Sequence, residues 1–353
     1  RDGNFTGKII ICNYERLHYF NPADFDCIIC DESSCLKDFK AATTANVFGL
    51  MRKMQYRFLA TATPSPNDYV ELGTSSEALG YLGHMDMLTK FFTNNADTIS
   101  PNGIGVKWRL KGHATEAFFQ WVSGWSISAR KPSDLGFSDE RHILPALIEN
   151  DHIVTNDAPL VINGQFSMFN QVARTMPEIH AERKATIEKR AEKAVELGSA
   201  HECTVYWCNL NEEAEMVATL DRSAVEIRGG MSIEKKEEIL KAFADGQIKK
   251  LITKPKITAW GLNWQHCNHA VTFPGFSFEQ YYQLVRRFYR FGQTREVTID
   301  RVISDGQVRI LQAIEAKAEK ASNLFSMLNA NLNKSYDVQK RAFDQTINLP
   351  SFL

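Results

Sequence analysis

Short apolar runs recur along the chain, separated by stretches with helical spacing. "KIIIC" (8–12), "FDCIIC" (25–30) and "YRFLA" (56–60) read as strands buried on both faces, with helical sequence such as "AATTANVFGLMRKM" between the last two. That alternation predicts a parallel sheet covered by helices. From about Glu71 to Pro145 the rhythm is lost among glycine, aromatic and polar residues, including "NNADTISPNGIGVKW" and "RKPSDLGF". This part reads as a helical and loop insertion leading into a connector. Residues 177–197 predict one long mixed-charge helix, with Pro177 in its first turn, Gly198 as its stop and its charges on a solvated face. The alternation returns in "CTVYWC" (203–208), "VEI" (225–227), "KLIT" (250–253), "HAVTF" (269–273) and "VTIDRVI" (297–303). Between them, "SIEKKEEILKAFADG" is a helix that Ser232 caps and Gly246 stops. The tail from about Leu324 is mixed in composition.

Length agrees with two α/β domains, since 353 residues exceed the rough prior of one domain per about 150. The expected division is 1–75 for a partial first domain, 76–150 for the insertion and connector, 151–323 for the second domain and 324–353 for the tail. Apolar residues at 44%, charged residues at 24% and a formal net charge of -1 describe an ordinary globular chain, so any nucleic-acid surface has to be local. No run of about 18 apolar residues exists to span a bilayer, and "RDGNFTGKII" is not a signal peptide. The first residue is Arg, from which an N-terminal part is expected to precede it. Seven cysteines, an odd number lying mostly in apolar runs, suit reduced thiols in the cytoplasm. Cys27 and Cys30 lie three apart on a strand and so point to opposite faces, a poor metal clamp. His266, Cys267 and His269 in "QHCNH" lack a matching partner pair and read as a loop entering a strand.

Three stretches carry candidate chemistry. Asp31 and Glu32 follow a buried strand directly, at the end where open α/β sheets place ligands. Two adjacent carboxylates there suit a magnesium nucleotide, one holding Mg2+ and the other orienting or deprotonating water. The same pair also suits the cap of a following helix, and "DE" alone favours the cap. Thr61 and Thr63 put two hydroxyls at the end of "YRFLA", beside that pair if the strands are neighbours. In "SFEQYYQLVRRFYRFGQ", Ser277 and Gln280 fit a capping box. At about 100° per residue, Tyr281, Leu284, Val285 and Phe288 form an apolar stripe, with Gln283, Arg287 and Arg290 on the opposite side. Arginine's planar fork of donors suits phosphate oxygens. Arg286 lies one step off the line.

The combination resembles superfamily 2 helicases, most closely their Swi/Snf-like branch with its bacterial and phage members. "DESS" looks like the DExx box of DEAD/DEAH-type ATPases, and "LATATPSPND" resembles the hydroxyl motif after it. "RKPSDLGF" with Leu144 and Pro145 is similar to the connector, and "VYWCNLNEEAEMV" lies where the second lobe begins. "TKPKITAWGLNWQ" looks like the fifth motif, and "QLVRRFYRFGQ" matches the sixth, Q-x-x-x-R-x-x-R-[IF]-G-Q, in the expected order across about 260 residues. The resemblance implies two RecA-like lobes with parallel sheets flanked by helices, the first incomplete. It also implies ATP hydrolysis in the cleft between lobes, with ATP and Mg2+ as cofactors. Asp31 would bind Mg2+, Glu32 would activate water, and Thr61 and Thr63 would couple hydrolysis to movement. Gly261 and Asn263 would line the nucleotide-facing surface, Arg287 and Arg290 would reach the phosphates, and Gln283 would support them.

One departure stands out. Such an ATPase needs a G-x-x-x-x-G-K-[ST] loop, and the only Gly-Lys pair, Gly7 and Lys8, lacks the upstream glycine and is followed by Ile9. The full-length protein is therefore expected to be the ATPase, and this chain alone to be inactive. The expected partner is nucleic acid, namely double-stranded DNA gripped through its backbone. Lys249, Lys250, Lys254 and Lys256 flank the strand before "ITAWGLN" and suit backbone contacts or a solvated strand end. Trp108, Trp260 and Trp264 either stack on bases or fill cores. The competing readings are a non-catalytic binding module on the same fold and the motor portion of a nuclease complex.

Overall fold

The computed structural model describes residues 7–94, 108–140, 142–155, 161–162, 165–166, 176–258 and 261–343. Two compact units emerge, one formed by Arg1–Phe137 with Glu319–Leu353, the other by Ser138–Ala318. In the first unit, β1 (Cys27–Cys30), α1 (Ala42–Met51) and β2 (Tyr56–Leu59) form a strand-helix-strand unit whose strands pair in parallel, Cys27 opposite Tyr56 and Cys30 opposite Leu59. Cys30, Leu36, Val47, Phe48, Met51 and Ala78 bury one face of it. The other face is uncovered among the described residues, contrary to the expectation of strands covered on both sides: Ile29, Tyr56 and Phe58 are exposed. "KIIIC" forms no strand either; Ile9 and Ile11 are exposed and join no ladder among the described residues. Branched apolar residues favour strands only where a neighbour supplies pairing and cover.

After β2 the first unit continues with α2 (Leu72–Leu79), α3 (His84–Phe91), a hairpin of β3 (Phe92–Asn94) and β4 (Trp108–Leu110), and α4 (Thr115–Ser123). Residues 95–107 of the insertion lie outside the described residues. The aromatic residues of this part build a core of their own. Phe91, Phe92, Phe118 and Phe119 interlock with Leu72, Met87 and Leu88, and Leu324 and Leu328 of the tail complete it.

The second unit holds β5 (Leu147–Val154), β6 (Val161–Ile162), β7 (Gln165–Phe166), α5 (Met176–Ala185), α6 (Ile187–Ser199), β8 (Thr204–Trp207), α7 (Asn211–Leu220) and β9 (Val225–Glu226). It continues through α8 (Ile233–Ala244), β10 (Lys250–Thr253), α9 (Pro255–Thr258), β11 (His269–Thr272), α10 (Phe278–Phe288) and β12 (Val297–Ser304), and α11 (Val308–Phe343) begins in it. Six strands form one parallel sheet in the order β5-β12-β11-β8-β10-β9. Its strands carry apolar residues on both faces because helices cover both. Val205, Trp207, Leu251, Ala270 and Ile299 pack with α8 and α10 on one face, and Tyr206, Ile252, Val271 and Val302 with α6 and α7 on the other. The fold is α/β, a parallel sheet flanked by helices, as the alternation predicts.

Residues 177–197 are two helices. The break falls at Thr186, whose Oγ1 bonds back to the Glu182 carbonyl at 2.8 Å and receives Arg190 Nε at 3.1 Å. A β-branched hydroxyl residue bonding four residues back bends a helix. The charges are not all solvated: Arg190 and Glu213 are 1% exposed and meet at 2.7 Å. Gly198 lies within α6 and allows a close approach, since a Cβ there would stand 2.1 Å from Tyr206 Oη. Gly246, by contrast, ends α8 with φ +73° as expected, and Ser232 caps its start by accepting from Lys235 N.

On the α6 face a polar network crosses four strands. Asp300 of β12 accepts from Asn150 at 2.9 Å and contacts His152 at 2.9 Å and His269 at 2.8 Å. His269 reaches Thr204 at 2.9 Å and stacks on His201 with centroids 3.6 Å apart. Burial alone raises the Asp300 carboxyl, and the bonds from His269, Asn150 and His152 outweigh it, leaving it well below the usual carboxylate range.

Candidate functional site

In the first unit the site grows from the pairing of β1 with β2. The ladder continues past both strands, with Ala60 N donating to Cys30 O at 2.9 Å and Ser33 N to Ala60 O at 3.0 Å. Asp31 and Glu32 therefore stand beside Thr61, side by side at the carboxyl ends of adjacent parallel strands. Tyr14 Oη donates to the Asp31 carbonyl at 2.6 Å, and Asp31 Oδ1 accepts from Glu32 N at 3.0 Å. Glu32 adopts φ 49° and ψ 47°, and among the described residues it alone of the non-glycines has a positive φ. Thr61 Oγ1 accepts from Thr63 N at 3.1 Å.

Three buried hydroxyls following these strand ends, Ser34, Thr63 and Ser65, find no hydrogen-bond partner among the described residues. Ser34 and Ser65 are functional candidates that motif reasoning passed over. Their signal is the second serine of "DESS" and the serine that follows the proline in "TATPS". Carboxylate and hydroxyl oxygens form the kind of donor set that suits Mg2+ and phosphate, a hard cation held by one or two carboxylates with substrate oxygens. Among the described residues no three His, Cys, Asp or Glu side chains converge as a complete metal cage. A magnesium ion that shares its ligands with a nucleotide requires no such cage.

In the second unit the site is built on α10, which leads from the end of β11 back to the start of β12 and so runs antiparallel to the sheet. Ser277 caps it by accepting from Gln280 N at 3.3 Å. Leu284, Val285 and Phe288 bury against Trp264 and the sheet. The opposite stripe departs from the expected open face. Gln283 and Arg287 are buried at 2% and 5% exposure, and the helix ends at Phe288, so Arg290 follows it in a turn. Arg287 donates to Leu262 O at 2.7 Å, Gln283 O at 3.1 Å and Gln283 Oε1 at 2.8 Å. Half-buried Arg290 reaches Asn263 Oδ1 and the Leu262 carbonyl. The loop 261–263 turns on Gly261 at φ +73°, a conformation open to glycine at little cost. Gln283, Arg287, Arg290, Gly261 and Asn263 thus gather in one place.

Gln293 is a residue whose part motif matching did not reveal. Buried beyond the turn, it donates to the carbonyls of Phe288 and Gln265 at 3.2 and 3.1 Å, fixing the backbone that carries Arg290. Gln265 donates to Phe291 O at 3.1 Å and ties the same turn.

The lysines separate. Lys249 and Lys250 lie at the amino end of β10, paired with Glu202 at 2.9 Å and Asp221 at 3.0 Å. Lys254 and Lys256 lie beyond its carboxyl end; Lys254 bonds Asn211, and Lys256 is exposed. Trp264 is core, 1% exposed against Trp207 and Phe243, and Trp108 packs on the first unit's aromatic core. Trp260 lies outside the described residues.

No curated protein matches the chain. Similar solved structures include the C-terminal part of the Fun30 ATPase domain, 14% identical with a TM-score of 0.36, covering 54% of this chain and 99% of that one. Another is the C-terminal domain of the DEAD-box protein Dbp5, 15% identical with a TM-score of 0.34, covering 41% of this chain and 91% of that one. Residues 188–292 match the helicase conserved C-terminal domain, a segment that contains the whole arginine helix and the loop it binds.

Proposed function

We propose that the chain is part of an ATP-driven motor of the Swi/Snf-like superfamily 2 type that moves on double-stranded DNA in the cytoplasm of a bacterial or phage-infected cell. The observation that carries this reading is the cluster of Gln283, Arg287 and Arg290 on Leu262 and Asn263, inside the segment that matches the helicase domain. Asp31 holds the magnesium ion of ATP, and Glu32 orients and deprotonates the attacking water. Ser34, Thr63 and Ser65 supply unpartnered hydroxyls near that carboxylate pair. Thr61, bonded to Thr63 N, links the strand end to the backbone that follows and carries the coupling. Arg290 neutralises charge on the transferring phosphoryl group. Arg287, enclosed by its own lobe, acts as a positioning residue that holds the Leu262 carbonyl, with Gln283 supporting it. When bound, Mg2+ would supply charge neutralisation at the nucleotide, held by Asp31. Gly261, Asn263, Lys254 and Lys256 face nucleotide and DNA backbone.

The phosphate-binding loop is assigned to sequence outside these 353 residues. Expression of the complete coding sequence is expected to give DNA-stimulated ATP hydrolysis, falling by about 10³-fold in Glu32→Gln and Arg290→Ala. Unchanged turnover in both variants would refute the reading.

A further inference from the structure

Cys203 and Cys267 occupy the amino ends of two neighbouring strands. Cys203 immediately precedes β8, Cys267 lies two residues before β11, and the parallel pairing of Val205 with Ala270 brings the two segments to the same level. Cys203 packs against the core cluster that contains Cys267. Cys203 is half-exposed, whereas Cys267 is buried in the core beside Trp264 and Phe288 and contacts the His269 carbonyl at 3.4 Å. His266, edge-on to Phe243 at 4.8 Å, and Lys249 bring a basic environment to Cys203. A reachable thiol next to a sheltered one is the arrangement of an attacking and a resolving cysteine.

We infer that Cys203 is a covalent modification site for small disulfides of the glutathione class, with Cys267 as its resolving thiol. The neighbouring Cys267 thiol is the largest influence on Cys203; burial opposes it, and His266 and Lys249 assist, so that the thiol is pulled below its usual range. Burial holds Cys267 well above the usual thiol range. In the first step the Cys203 thiolate attacks one sulfur of the small disulfide and displaces the other half as a thiolate. Cys267 then gives its proton to that thiolate and attacks the Cys203 sulfur, displacing the second half as a thiol once it takes a proton from solvent. The two protein thiols lose two electrons, and one small disulfide becomes two thiols. The resulting bond would staple β8 to β11 at their amino ends, and it does not depend on the motor reading.

The test is to incubate the native chain with oxidised glutathione and map its cysteines by peptide mass spectrometry, alongside alkylation rates with iodoacetamide at pH 7. Exposed Cys12, Cys27 and Cys35 are internal controls. Cys203 is expected to alkylate about tenfold faster than these, a preference that vanishes in the unfolded chain. Glutathione should yield a Cys203–Cys267 cross-link in the native chain and a stable mixed disulfide on Cys203 in Cys267→Ser. Alkylation of Cys203 no faster than the controls, or a mixed disulfide that persists with Cys267 intact, would overturn the inference.

Discussion

A left-handed conformation costs a residue with a Cβ roughly 1–2 kcal/mol. Glu32 bears that cost at the carboxyl end of β1, between an aspartate and two buried serines. Strain of this kind persists where the surroundings over-determine it, and such places cluster at functional sites. Glu32→Gly is therefore expected to raise stability toward denaturant by up to about 1 kcal/mol while abolishing turnover of the complete protein. A destabilised variant would mean that the side chain's own contacts outweigh the strain. Nothing in "DESS" discloses this, because a dihedral angle follows from how the turn meets β2. Arg190 illustrates the same limit. Its neighbours in sequence are charged, so it reads as solvated, yet burial places it with Ala194 and Gly198 on the inner face of α6, where it needs Glu213.

At the level of elements, α10 and the loop 261–263 act as one piece. Arg287 bonds the Leu262 carbonyl and both oxygens of Gln283 inside the lobe, so Arg287→Ala removes a donor from the Leu262 carbonyl in a buried setting. A loss of about 3 kcal/mol is expected. Arg290→Ala, at a half-buried turn, should cost under about 1 kcal/mol. Thermal melts of the two variants check the contrast, and equal losses would contradict the division into a positioning and a catalytic arginine. Period alone located the buried stripe of α10, because Leu284, Val285 and Phe288 obey helical spacing. It misplaced the other stripe, since what covers Gln283 and Arg287 is a loop remote in sequence. Strands β8, β10 and β11 of the second unit are legible because each is nearly continuous in apolar residues, and "KLIT" coincides with β10, whereas β5, "LIENDHIV", is broken by charged residues and its sequence does not read as a strand. "KIIIC" is as continuous in apolar residues as β10 and forms no strand, because pairing is a property of neighbours. The break at Thr186 likewise depended on Arg190 reaching back to its hydroxyl.

Across the second unit as a whole, the Asp300 network ties β5, β12, β11 and β8 together and gives the fold an acid-sensitive seam. The Asp300 carboxyl is lowered in the folded state, so its contribution is complete above the unfolded value of about 4 and is lost as pH falls through the folded value. His201, lowered chiefly by burial and further by His269, acts in the same sense below its unfolded value of about 6.5. The melting temperature should therefore decline from pH 7 toward pH 3, with a shallower decline in Asp300→Asn. Equal slopes in the two proteins would show that the network does not carry the effect.

The chain's two compact units differ in how completely they cover their sheets. The second has a six-stranded parallel sheet with helices on both faces, and the first, among the described residues, has a two-stranded parallel pair with one face uncovered. The central claim concerns chemistry, namely that Arg290 acts on the nucleotide. Its most direct measurement is single-turnover ATP hydrolysis by the complete protein on saturating DNA, comparing Arg290→Ala with the unaltered sequence at matched melting temperature. The account predicts a fall of about 10³-fold in the chemical step with nucleotide still bound. Hydrolysis within about twofold of the unaltered protein would contradict it.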